Sequence, residues 1–357
     1  MNPLRFGIIG AGFGRRVHLP VVMALPEVEV AMLCASAGRN LAPLQQAHPG
    51  LRVTDRWQDV VADPAVDACV VAVPPAAQRE IISALLQAGK HVLCEKPFGL
   101  TETDAAVMLA AARGSGRVHA VDFQFRFNPG LQGIKDIMAS GALGRLERMD
   151  VLWLSGGRAD PALPFSWQHD RAAGGGILNS YASHAFDYVE WLAGEPIVEL
   201  HAWTDILIPQ RPDSLGQLVL ATAEDSCDCT ARLASGAVVS LRISNCHRHG
   251  PGHRIEVFGS AGAVSVLQPQ GDRAFGYALH VTEAGGRKPV SLAAPQAWDN
   301  HFQGVRAVTE AFVRQIRTGE RGDAGDFQAG LRAQTLVQAA LKSALERHAV
   351  NVPLPAN

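Results

Sequence analysis

The chain has 357 residues, more than a single hydrophobic core usually organises, so two domains are expected. Apolar residues make up 47 % and charged residues 18 %, and a formal net charge of -2 offers no basic field for nucleic acid or an anionic membrane. Six cysteines are too sparse for a disulfide framework, no signal-peptide pattern opens the sequence, and no apolar run approaches the roughly 20 residues that span a bilayer, so free thiols in a reducing cytoplasm are expected.

From the N-terminus, "RFGIIGAG" reads as a strand entering a glycine-rich turn. Four further apolar runs follow: "VEVAMLCAS", "DACVVAVPP", "HVLCEKP" and "VHAVDFQF". Between the third and fourth, Ile81, Ile82, Leu85 and Leu86 recur at helical spacing, with Gly89 as a stop. "LTETDAAVMLAAARGSG" repeats the plan, with Thr101 as N-cap and Asp104 three residues on. Apolar strands alternating with helices predict a doubly wound parallel sheet. The domain boundary is placed near residue 125, giving a dinucleotide-binding domain over 1–125 and a second domain over 126–357.

The second half changes character. One helix is predicted in "GILNSYASHAFDYVEWLAGE". After Pro196 come strand-like runs with few helix signals: "VELHAWTDILI", "DSCDCTARLA", "AVVSLRIS", "HRIEVFGS" and "AVSVLQ". Successive strands of this kind predict a mostly antiparallel sheet. The tail "DFQAGLRAQTLVQAALKSALERHAV" is helical again, and this helix can pack back on the first domain.

"GIIGAGFGRR" ends a strand and opens a helix, the context a dinucleotide turn requires. Glycines let the backbone approach a pyrophosphate, and a helix N-terminus favours its charge. Gly10 and Gly12 fit the first two positions; Arg15 stands where the third glycine belongs, and Gly14 can take that role by a shifted turn. An NAD-binding strand usually ends in an acid that holds the ribose hydroxyls. Here the stretch is "LCASAGRN", without a carboxylate, and Glu27 and Glu29 lie at the wrong end of the strand. Ser36 and Arg39, helped by Arg15 or Arg16, suit a 2′-phosphate, which favours NADP(H) over NAD(H).

At this point the sequence resembles the Gfo/Idh/MocA oxidoreductases, named for glucose–fructose oxidoreductase and inositol dehydrogenase. The likeness spans nearly the whole chain and rests on "GIIGAGFGRRVHLP", "VVAVPPAAQREIISALLQAGKHVLCEKPFGLT", "QFRFNPGL", "GGGILNSYASHAFDYVEWLAG" and "RIEVFGSAGAV". It implies a Rossmann domain followed by a C-terminal α/β domain on a large open sheet. It also implies hydride transfer between NAD(P) and a sugar, polyol or derivative, and a homodimer or homotetramer through the C-terminal sheet.

Position 96 matches the family's active-site lysine, at the carboxyl end of a parallel strand where doubly wound sheets bind ligands. Lys96 can hydrogen-bond a reacting oxygen or share in proton transfer, and Pro97 behind it is a place for a cis peptide bond. The expected cofactor set is then Gly10, Gly12, Phe13, Gly14, Arg15, Ser36, Arg39, Pro74, Pro75, Glu95 and Lys96. In the helix, the family pairs an Asp with a His four residues later. His184 fits as the proton-transfer group, but position 180 is Ser180, and Asp187 is the nearby substitute. Arg126, Trp167, Asp170, Ser180 and His184 are candidates for substrate contact, Trp167 as an apolar face for a sugar ring. Gln78 stands where many members carry His and is given no catalytic role.

No metal is expected. Cys246, His247, His249 and His253 are ligand types at no zinc spacing, and Cys227 with Cys229 face one side of a strand as packing. Two other functions share these features: a nucleotide-binding sensor without turnover, and a hydrolase or lyase that recycles a tightly held NAD.

Overall fold

The structure, a computed structural model, describes residues 2–269, 278–283, 286–290 and 300–354. The chain forms two compact units. The first takes residues 1–124 and 300–331, the second residues 125–299 and 332–357.

The first unit is built on six parallel strands: β1 (Leu4–Ile9), β2 (Val28–Cys34), β3 (Arg52–Thr54), β4 (Ala68–Val71), β5 (His91–Cys94) and β6 (His119–Val121). Their order is β3-β2-β1-β4-β5-β6, which reverses direction between β1 and β4. That reversal is the switch point at which doubly wound sheets open a ligand crevice. Phe6, Ile8, all of β4 and Val92–Cys94 are buried, as strands covered on both faces must be.

A wide π-type turn over Gly14–His18 follows β1 and leads into α1 (Leu19–Met23). The other helices among the first 125 residues are α2 (Ala42–Ala47), α3 (Trp57–Ala62), α4 (Pro75–Gln87) and α5 (Glu102–Ser115). In α4 the periodic Ile81, Ile82, Leu85 and Leu86 are buried against the sheet. Thr101 caps α5, accepting from Asp104 N at 3.1 Å, and Gly116 ends it at φ 63°.

The second unit has α6 (Pro129–Ala139), β7 (Leu146–Leu154), α7 (Ser183–Ala193) and β8 (Ile197–Asp205), then the short hairpin β9 (Gln210–Pro212) and β10 (Leu218–Leu220). It continues through β11 (Ser226–Leu233), β12 (Val238–Ser244), β13 (Gly252–Gly259), β14 (Ala263–Pro269), β15 (Ala278–Glu283) and β16 (Gly286–Val290). Helices α8 (Val305–Thr318) and α9 (Phe327–Glu346) and the edge strand β17 (Val350–Asn351) complete the chain. The nine-stranded sheet runs β16-β15-β14-β13-β7-β12-β11-β8-β17. Its pairs are antiparallel except β7 with β12, where Val151 lies opposite Leu241. Met149, Val151, Leu241, Ile243, Ile255 and Val257 pack with Phe186, Tyr188 and Val189 of α7 as one core.

The sequence reading placed five of the six parallel strands and missed β3, whose three residues are too short to show a period. It also missed α2, α3, α6, β7, α8 and the short strands β9, β10 and β15 to β17. In α8 the pattern was present: Val305, Val308 and Phe312 recur at helical spacing and are buried. The helix predicted from "GILNSYASH" is not α-helical at its start. Leu178–Ala182 forms a π-type turn before α7 begins.

Candidate active site

The glycine turn is set by close approach of backbone to backbone. Gly10 has φ +124°, and a Cβ there would lie 2.1 Å from the Ala72 carbonyl after β4, so only glycine fits. A Cβ on Gly14 would meet Ala72 Cβ and Ile8 Cγ2 at 3.2 Å, so Gly14 seats the following helical turn on the sheet. A Cβ on Gly12 would meet nothing within 4 Å. A helical turn begins directly behind this open space. Phe13 sets its ring edge against His18 at 5.6 Å, Arg15 is half-buried and Arg16 is exposed.

After β2, Ser36 and Arg39 are both exposed, and Arg39 N closes a turn on Ser36 O at 3.2 Å. A carboxylate does reach this loop, but from just beyond β3. Asp55 Oδ2 accepts from Gly38 N at 3.0 Å. Sequence reading looked for the acid on β2 alone, and the missed β3 hid it. Pro74 is extended and exposed, and Pro75 opens α4 at its first position.

β5 delivers Glu95 and Lys96 to the carboxyl edge of the sheet, and the Lys96–Pro97 peptide is cis. Gln78 fastens this segment from α4: its Nε2 donates to Glu95 O at 3.1 Å and its Oε1 accepts from Gly99 N at 2.7 Å. Gln78 is therefore a positioning residue that sequence reading passed over. Glu95 N donates to Val71 O, and Asp122 N to Cys94 O, which places Asp122 beside Glu95 at the ends of adjacent strands. His18 reaches both acids, its Nε2 lying 2.8 Å from Glu95 Oε1 and 3.7 Å from Asp122 Oδ2. Ligand atoms of His18, Glu95 and Asp122 all fall within 4.8 Å of one another, a grouping not anticipated from sequence.

Burial lowers the Lys96 pKa, against the pull of Glu95 and Asp122. Burial also acts on Glu95, but the His18 hydrogen bond and charge, with Lys96, outweigh it and leave its pKa lowered. Asp122 goes the other way. Burial first, and then the Glu95 charge, raise it well above the ordinary carboxylate range.

In the second unit, His184 is buried on α7 with its ring edge-on to Phe125 at 5.0 Å. Phe125 in turn touches Trp153 at 5.0 Å and His253 at 5.4 Å. His253 stacks on Trp153 and shares a 3.0 Å hydrogen bond with Tyr188 Oη. Arg126 forks onto Asp187, with Nε donating to Oδ2 at 2.9 Å and Nη2 to Oδ1 at 2.6 Å. Ser180 Oγ turns back to donate to Gly176 O at 2.7 Å. Trp167 opens a 3₁₀ turn. Asp170 caps the next one through Ala172 N at 3.0 Å and accepts from Thr222 Oγ1 at 3.2 Å.

Comparison with known proteins finds a family match in each half of the chain. Residues 4–123 fit the oxidoreductase family with an NAD-binding Rossmann fold, and residues 131–265 fit the GFO/IDH/MocA C-terminal domain. An uncharacterized oxidoreductase of Synechocystis, sll0816, is 31% identical over 98% of this chain and 96% of its own length. The chain belongs to the Gfo/Idh/MocA oxidoreductase family. Another relative, the levoglucosan dehydrogenase of Pseudarthrobacter phenanthrenivorans, is 30% identical over 74% of this chain and 73% of its own. A solved levoglucosan dehydrogenase in complex with NADH and L-sorbose superposes with TM-score 0.89 at 25% identity, over 99% of this chain and all of the other.

This Gfo/Idh/MocA chain is thus an NAD-binding oxidoreductase, with a parallel Rossmann sheet and a mostly antiparallel second sheet as the sequence led one to expect. Among the described residues, no helix is long and apolar enough to cross a membrane. Cys227 and Cys229 alternate inward on β11 and pack in the core. Cys246 Sγ donates to Arg158 O, and His247 and His249 are exposed, so this grouping scatters from His253.

Burial drives the His253 pKa down to about 3, and His169 is drawn to about 4, by burial first and then by Arg211 and Arg158. An unfolded histidine titrates near ~6.5, so below that pH the unfolded chain takes up protons that the native one refuses. Stability is expected to fall as the pH drops from about 6.5 towards these depressed values. His253→Phe should remove up to ~1.4 kcal/mol per pH unit of that slope, read as the difference in Tm against pH between wild type and variant.

Proposed function

We propose that the protein is an NAD(P)-dependent dehydrogenase or reductase acting at a carbon that bears a hydroxyl or carbonyl on a sugar, polyol or derivative. The observation that carries this reading is Lys96, a half-buried ammonium with lowered pKa at the carboxyl end of β5, in a chain similar to levoglucosan dehydrogenase. Bound NAD(P) supplies the hydride acceptor or donor. In oxidation, Lys96 hydrogen-bonds the reacting oxygen and steadies its developing charge, while the imidazole of His184 takes the hydroxyl proton. Gly10, Gly12 and Gly14 shape the phosphate turn. Trp167 and Asp170 are the proposed sugar contacts. Arg126 acts there through Asp187. A homodimer or homotetramer through the nine-stranded sheet and a cytoplasmic setting complete the reading.

The cofactor in this reading is NADP(H). Ser36 and Arg39 are exposed to meet a 2′-phosphate, and Asp55 limits the preference by its charge. Fluorescence titration of reduced cofactors should show NADPH bound more tightly than NADH. Arg39→Ala should cost NADPH about tenfold more than NADH, the weight of one charge-assisted contact. Asp55→Asn should widen the NADPH preference. Tighter NADH binding in the wild type would refute NADP(H) and leave the dehydrogenase reading standing.

That reading is tested by screening sugars and polyols for net NAD(P)H formation. Turnover without net reduced cofactor would point to the recycling hydrolase or lyase. Cofactor binding with no turnover on any substrate would point to the sensor.

A further inference from the structure

We propose that Asp122 is a buried carboxylic acid that donates its hydrogen bond to Glu95, so that the two acids together give Lys96 a single counter-charge. Asp122 and Glu95 are chemically alike but differently placed. His18 Nε2 approaches Glu95 Oε1 at 2.8 Å and stays 3.7 Å from Asp122 Oδ2. The Asp122 side chain is fully buried, while 11% of the Glu95 side chain remains exposed. Among the described residues, neither Asp122 oxygen has a hydrogen-bond donor aimed at it.

An ionised carboxylate in that position would be shielded from bulk solvent and without a donor among the described residues, next to a second negative charge. One proton held between the two acids removes both costs, and the acid without a histidine is the one that keeps it. The groups facing this pair come from three elements. His18 arrives from the turn after β1, Cys94, Glu95 and Lys96 from β5 and its end, and Asp122 from the end of β6. Burial, and then the Glu95 charge, push the Cys94 thiol well above its usual range, so it adds no charge.

The consequence falls on Lys96. Two ionised carboxylates would lock it as an ammonium. One lets burial draw its pKa down, towards the range where it can exchange a proton with a reacting oxygen. Asp122 is thus a positioning residue that acts through Glu95, and its kinetic role rests on the function proposed above for Lys96.

The test has an arm that needs no substrate. The full-length protein is labelled with ¹³C at the aspartate side-chain carboxyl, or separately at that of glutamate, and its infrared spectrum is recorded at pH 7. A protonated-acid carbonyl band that shifts with labelled aspartate and is lost in Asp122→Asn is expected. Absence of any aspartate acid band in the labelled wild type overturns the proposal, whether or not the enzyme turns over.

The second arm is the pH profile of kcat/KM. Asp122→Asn keeps a neutral group and should move the Lys96 limb by less than about half a unit. Glu95→Gln removes the counter-charge and should move it acidward by about one unit or more. An equal acidward shift in both variants would show Asp122 to be the charged partner and overturn the proposal. Loss of the dehydrogenase reading itself would show as no activity on any substrate, with the infrared result still deciding the protonation of Asp122.

Discussion

Lys96→Ala is expected to lose on the order of 10²-fold or more in kcat while the protein still binds reduced nicotinamide cofactor. Two features make the loss large. The backbone that carries Lys96 sits at the carboxyl edge of β5, fastened by the Gln78 bonds to Glu95 O and Gly99 N, so the root of the side chain is placed before substrate arrives. Its lowered pKa reflects partial desolvation, which strengthens any hydrogen bond it makes to a developing oxyanion. The glycine turn follows β1 and is built without the lysine, so cofactor binding should be retained, weakened at most by the loss of the contact Lys96 itself makes. Lys96→Arg keeps the charge but not the compact donor, and should recover only part of the rate. Single-turnover kinetics beside a fluorescence titration separate the two effects. Near wild-type turnover in Lys96→Ala would remove this residue from the mechanism.

His184→Ala should lower kcat/KM by 10²- to 10⁴-fold, the usual weight of a positioned proton acceptor. Ser180→Asp should move the acid limb of the pH profile to higher pH, because an added carboxylate favours an imidazolium. The structure sharpens this expectation. Spacing of four implied that Ser180 and His184 share one α-helical face, but Leu178–Ala182 is a π-type turn and Ser180 Oγ bonds back to Gly176 O. Both carboxylate oxygens of Asp187 accept from Arg126. Arg126→Gln would therefore release negative charge on α7 and should move the acid limb in the same direction as Ser180→Asp. An unchanged rate and profile in His184→Ala would mark His184 as a packing residue against Phe125.

What could be read from sequence follows the physics of each element. β4 and β5 are covered on both faces, so they appear as unbroken apolar runs, and Lys96 stands out as the charge that ends one. Thr101 and Asp104 advertise the start of α5 in four residues. β7 hid because it alternates Met149 and Val151 inward with Arg148 and Asp150 outward, and the charges masked a central strand as a loop. The grouping of His18, Glu95 and Asp122 had no local signature. Its members are separated by tens of residues and meet only because β5 and β6 are neighbours and the turn after β1 crosses their ends. Asp55 was missed for a related reason: the strand it follows is three residues long, and the acid serves the loop of the strand next door.

The place of β7 in the large sheet also bears on how the chain folds. On one side, β13 to β16 form by successive short-range hairpins; on the other, β11 pairs with both β8 and β12. Among the described residues, only β7 joins these two groups, and it pairs with strands that follow it by some ninety residues or more. Each meander can zip early from local contacts, whereas closing the sheet waits on the long loop that brings β7 home. Once seated, the same strand ties the fates of both meanders together, so that neither can open widely without breaking its ladder.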